Sequence, residues 1–124
     1  MSFVAVSERL TSDQLRDAIG VAPDASQSGT ARVPTQATWE LTATGSDGTD
    51  VSALIGDVMT RLTPAIVGLS RLTATDDSLS CLLRVVEYIG DDEVGPGFAL
   101  DPTTVTLLGV LDAAVDVDLY YAPA

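Results

Sequence analysis

The chain contains no histidine and no lysine, and its six basic residues are all arginine. Without histidine there is no Ser-His-Asp or Cys-His arrangement and no imidazole metal ligand. Without lysine there is no Schiff-base amine and no phosphate-loop lysine. A single cysteine, Cys81, forms no internal disulfide and cannot supply the four ligands of a structural zinc site. Six aromatic residues are too few to line a sugar cleft with stacking platforms. No apolar run approaches the roughly 18–20 residues that span a bilayer. Nor does a basic start lead into an apolar core, so no secretion signal is expected, and the expected compartment is the cytoplasm.

What is abundant is negative charge. Eighteen acidic against six basic residues give a net charge of −12 over 124 residues. Nucleic acids are held by neutralising their phosphates with cations, so this balance argues against DNA, RNA and anionic membrane alike. A basic protein partner is attracted by the same field. An apolar fraction of 46% and a charged fraction of 19% suit one globular domain, 1–124, large enough to bury its own core.

The organising stretch is Ser78–Ile89, SLSCLLRVVEYI. Leu79, Cys81, Leu83, Val85 and Ile89 lie on one alternating set, and Leu82, Val86 and Tyr88 on the other. Apolar residues on both sets mark a central strand rather than a solvated border. Ahead of it, Phe3, Val4 and Val6 indicate a first strand over Ser2–Ser7. Thr11 and Gln14 form a capping box, with Leu10 and Leu15 at the staple positions. The helix they open runs over Ser12–Ile19, burying Leu15, Ala18 and Ile19, and Gly20 ends it before Pro23. A short strand is expected at Thr30–Val33, turning through Pro34–Ala37 into Thr38–Thr44. There Trp39, Leu41 and Ala43 face inward, before a turn at Gly45–Thr49.

Val51, Leu54, Ile55, Val58, Met59 and Leu62 fall on one helical stripe capped by Thr49 or Asp50. Pro64 should break this helix, and Thr63-Pro64 then opens a short one burying Ile66 and Leu69. After the central strand, Gly90–Gly97 is an acidic loop broken by glycine and proline. Asp101-Pro102 starts a further helix carrying Val105, Leu108 and Leu111 to the core. A last strand turns Val115, Val117, Leu119 and Tyr121 inward, and Asp116, Asp118 and Tyr120 outward. The order is β-α-β-β-α-β plus an added α-β. That predicts an α+β two-layer sandwich with a ferredoxin-like core and helices on one face of a mainly antiparallel sheet. Leu82, Val86 and Tyr88 would then sit on the open face, covered by loops or by a second copy.

Two groups of residues carry the resemblance to a known family. One is the capped helix ending in Ile19-Gly20-Val21-Ala22-Pro23, followed by a strand bearing Trp39-Glu40-Leu41. The other is the closing run Ala113-Ala114-Val115-Asp116-Val117-Asp118-Leu119-Tyr120. Together they resemble the small bacterial proteins of domain-of-unknown-function family 4279. The resemblance spans nearly the whole chain and implies a single αβ domain. It carries over no catalytic residue.

Three places could hold chemistry. Cys81 on an apolar strand face is expected to be an inert core thiol. The loop acids Asp91, Asp92 and Glu93, and the run Asp47-Gly48-Thr49-Asp50, carry oxygen ligands but lack the staggered pattern of a calcium loop. They read as solvated charge. Asp116 and Asp118 share a strand face with Tyr120, near Arg84 and Tyr88, and form a stripe suited to an arginine-rich partner. These residues point to a non-enzymatic protein-binding module of the immunity-protein kind, with no cofactor and no metal. A homodimer pairing through the open sheet face, with or without a small ligand, is the alternative. A carboxylate- or metal-dependent enzyme comes last.

Overall fold

The computed structural model describes residues 1–28, 36–45, 50–89 and 98–121, and of Tyr88, Ile89 and Tyr121 the backbone alone. The chain is α+β, built on a five-stranded mixed sheet. In chain order the elements are β1 (Ser2–Ser7), α1 (Ser12–Ile19), β2 (Ala25–Gln27), β3 (Ala37–Thr42) and α2 (Val51–Leu62). A 3₁₀ turn (Thr63–Ala65), α3 (Ile66–Thr75), β4 (Ser80–Ile89), α4 (Pro102–Val110) and β5 (Ala114–Tyr121) follow. The strand order is β2-β3-β1-β4-β5. β1 runs antiparallel to β3 and β4, β2 antiparallel to β3, and β5 parallel to β4.

β4 is an interior strand, as its two-sided apolar pattern requires, but the middle position belongs to β1. Four consecutive β1 residues, Ser2 to Ala5, are buried, as suits a strand with neighbours on both sides. Register puts Phe3, Ala5, Trp39, Leu41, Cys81, Leu83 and Val85 on one face. That face forms a single cluster with Leu15, Ile19, Ile55, Val58, Leu62, Leu69, Leu108 and Leu111 from the helices.

Local chemistry accounts for the helix ends. The amide of Gln14 donates to Thr11 Oγ1 at 3.2 Å, and the amide of Thr11 donates back to Gln14 Oε1 at 3.0 Å. Gly20 closes α1 in the left-handed region at φ 80°, its N–H donating to the Arg16 carbonyl. The stripe of α2 buries Ile55, Val58, Met59 and Leu62, each contributing ~1.5–3 kcal/mol before ordering entropy is subtracted. As expected, α2 ends at Leu62 ahead of Pro64, which sits in the first turn of the 3₁₀ segment, and α3 follows as a separate helix. The three are continuous helical backbone over Val51–Thr75, long and apolar enough by length and composition to cross a membrane. This corrects the expectation of no apolar run of that length, because the serine, threonine and glycine between the apolar residues leave the mean hydropathy high; the buried stripe of the stretch packs in the core with Trp39 and Leu83.

Several expectations need correction. Ala18 is exposed, because α1 meets α3 through backbone: a Cβ on Gly68 would lie 2.5 Å from the Ala18 carbonyl oxygen. On α4 it is Thr104 that is buried, while Val105 is 53% exposed. The second strand of the chain is Ala25–Gln27; the expected Thr30–Val33 lies outside the described residues. Val115, Val117 and Leu119 are not interior. They pair in register with Leu83, Val85 and Glu87 and so share the core face, yet they remain 40–45% exposed because the cover over β4 does not extend to β5.

Candidate interaction edge and its surroundings

The sheet ends differently at its two borders. At one, β2 has three residues and is locked in place. Arg61 on α2 donates to Asp24 Oδ1 at 2.6 Å and to the Thr42 carbonyl at 2.9 Å, while the Thr42 amide donates to Asp24 Oδ2. The Arg61 hydrogen bond, then the Thr42 amide, hold the Asp24 carboxyl below its ordinary range. Trp39 tightens the same region. Its fully buried indole donates from Nε1 to the Val21 carbonyl at 2.9 Å. The capped-helix motif and the tryptophan strand are thus two halves of one junction, and their role is structural.

At the other border lies β5, with eight residues and, among the described residues, no strand on its outer side. Its alternation sorts chemistry by face. Asp116, Asp118 and Tyr120 pair with Arg84, Val86 and the backbone of Tyr88 on the face opposite the core. Arg84 Nε approaches Asp116 Oδ2 at 3.8 Å, with both side chains about half exposed, a geometry worth ~0–1 kcal/mol. Asp118 is half-buried and has no ion pair among the described residues. Leu82 and Val86 are half-buried on this face, and Val4 beside Leu82 is 9% exposed. Four of the sequence-predicted residues, Arg84, Asp116, Asp118 and Tyr120, therefore share one side of the β4–β5 pair, and Tyr88 pairs with Tyr120 through its backbone. The acidic loop Asp91, Asp92 and Glu93 lies outside the described residues, as do Asp47, Gly48 and Thr49. Asp50 caps α2, accepting from the Ser52 amide at 3.0 Å.

Elsewhere several polar groups are structurally committed. Cys81 is buried, and loss of hydration followed by the charge of Asp112 pushes its thiol up to about 11, which leaves no thiolate near neutrality. Asp76 was not foreseen, since Asp76-Asp77 reads as an ordinary loop. It is buried, accepting from Ser7 Oγ and Ser78 Oγ at 2.6 Å each and from the Ser78 amide at 2.9 Å. Ser7 Oγ in turn accepts the amides of Arg9 and Leu10. Burial raises the Asp76 carboxyl, but the two hydroxyls, the amide and the Arg9 charge together lower it below its ordinary value. With every oxygen engaged, this cluster ties the β1–α1 and α3–β4 turns together and has none left for chemistry. The only advance signal was a small polar residue, Ser7, ending an apolar strand.

A shallow cleft of about 230 Å³ lies between α2 and α4, lined by Met59, Thr60, Thr63, Asp101 and Leu107 among others. Thr60 and Thr63 donate to helix carbonyls, and Asp101 caps α4 through the Thr104 amide at 2.7 Å. Among the described residues no three of histidine, cysteine, aspartate and glutamate gather as metal ligands would.

What fold and edge define is a small acidic α+β domain whose long border strand, β5, has no strand on its outer side among the described residues. The chain belongs to the family described as domain of unknown function DUF4279, whose model matches residues 1–122. No curated protein and no solved structure matches it.

Proposed function

We propose that this chain is a non-enzymatic protein-binding module that receives a basic partner at the β4–β5 end of its sheet, in the manner of an immunity protein. The observation that carries the reading is β5 itself: an eight-residue border strand, apolar on one side and acidic on the other. Solvent-facing valine and leucine at alternate positions of a border strand are what soluble proteins normally avoid unless the surface is used. The net charge of −12 favours a cationic partner and speeds its approach. A cytoplasmic setting, where a lone reduced thiol is ordinary, is part of the same proposal.

The finer architecture belongs here too. The order β2-β3-β1-β4 with all-antiparallel pairing supports a ferredoxin-like core, and β5, parallel to β4, extends it. The core cluster, drawn from one sheet face and the helices, supports a two-layer sandwich.

Capture from a lysate of the source organism tests the reading, using the wild-type chain and an Asp116→Arg/Asp118→Arg variant at low and high ionic strength. The expected result is a cationic protein retained by the wild type, released by salt and lost by the variant. Absence of any partner, or retention indifferent to salt and to the charge reversal, counts against it. Self-pairing through the open face is the second reading, supported by the apolar Leu82 and Val86 on that side. A monomer in light scattering at tens of micromolar removes it.

A further inference from the structure

We propose that the partner enters as an extended segment that adds a strand along the outer edge of β5, its basic residues facing Asp116 and Asp118 and its apolar residues lying against Val115, Val117 and Leu119. This rests on the protein-binding reading and names the occupant.

A border strand leaves alternate backbone N–H and C=O groups unpaired, and an incoming strand satisfies them while its side chains fall alternately on the two faces. β5 suits this use, since Ala114–Tyr121 contains no glycine or proline and alternates strictly from Val115 to Tyr120. Natural borders are commonly blunted by shortness or by cover. The β2 border has the first of these and is braced by Arg61 and Asp24; β5 has neither among the described residues.

Charge selects the occupant. Arg84 offsets Asp116 at 3.8 Å, but Asp118, beside the edge, has no ion pair among the described residues. A second copy is the wrong partner. Two-fold antiparallel pairing of β5 with itself keeps the same faces together. A register centred on residues 116 to 118 then sets aspartate against aspartate, between chains that each carry −12. A strand alternating cationic and apolar residues meets carboxylates on one face and valines on the other. The competing role for the two aspartates is to repel all strands and keep the border from aggregating, and the experiment separates the two roles.

Three synthetic peptides of β5's length, 8 residues, form the test: alternating Arg and Val, alternating Glu and Val, and the Arg/Val peptide with two prolines in place of valines. Fluorescence anisotropy is read against the wild type and an Asp116→Asn/Asp118→Asn variant, with folding checked by circular dichroism. The Arg/Val peptide should bind and the other two should not. The variant should bind it roughly tenfold more weakly, with a flatter salt dependence. Failure of the Arg/Val peptide to bind overturns the proposal in favour of the repelling role. Equal binding of the proline peptide, or indifference to the two substitutions, overturns it in favour of diffuse attraction to an acidic chain. If the peptides fail while a captured partner still binds, the edge is wrong and the module survives; if no partner exists, both fall.

Discussion

Asp76 is the residue whose removal should be felt most sharply for its size. Replacing it with alanine leaves the hydroxyls of Ser7 and Ser78 and the Ser78 amide without their acceptor, and should cost ~2–4 kcal/mol in chemical denaturation. Its folded-state pKa is lowered, as are those of Asp24 and Asp101. The stability these three contribute is therefore fully present above the ordinary carboxylate value and is lost as pH falls through their depressed folded values. Denaturation midpoints should hold steady near neutrality and drop below about pH 4. In the Asp76→Asn variant the acid-side drop should be shallower; an unchanged profile contradicts the assignment. Cys81, with its thiol at about 11 and its side chain in the core, should resist a thiol reagent at mildly alkaline pH until the chain is denatured. Rapid native-state labelling would show that the β4 face is open.

Helix packing supplies a matched pair of substitutions. On α3, a methyl group at Gly68 would meet the Ala18 and Ile19 carbonyl oxygens at 2.5 and 2.6 Å and the Ile19 Cα at 2.8 Å, all backbone. Gly68→Ala should therefore cost ~1–3 kcal/mol by forcing α1 and α3 apart. Gly56 on α2 has open space where its Cβ would stand, so Gly56→Ala should stabilise by ~0.5–1 kcal/mol through helix propensity alone. Equal effects at the two sites would mean that α1 and α3 are not in contact.

Element by element, legibility in the sequence followed the locality of the signal. The capping box at Thr11, the Gly20 stop, the Asp101-Pro102 start and the α2 stripe are written within a few residues, and each holds in the structure. β2 escaped because Ala25, Ser26 and Gln27 bear no apolar pattern; backbone pairing to β3 makes them a strand. On β5 the alternation correctly grouped Val115 with Val117 and Leu119. Which face is covered depends on how far a helix layer reaches, and no local pattern encodes that. Of the site, Arg84, Asp116, Asp118 and Tyr120 could be grouped in advance. The open edge could not, because strand order is a property of the whole chain.

At the scale of the molecule, a well-packed core adjoins a long border strand that carries no outer neighbour among the described residues. The strand order places β1 in the middle and, among the described residues, leaves β5 with a neighbour on one side only, while the other border, β2, is braced by Asp24 and Arg61. The same asymmetry sets an order of local stability, since strands paired on both sides open only with the whole fold, while border strands open more readily. Residue-resolved hydrogen exchange, with and without the Arg/Val peptide, measures this directly. Slow exchange is expected throughout β1 and at Leu82–Arg84 of β4, which have strand neighbours on both sides, and fast exchange at alternate amides of β5 that becomes slow when the peptide is added, with β2 unchanged. Uniform protection of β5 in the free chain, or peptide-induced protection anywhere but β5, would contradict it.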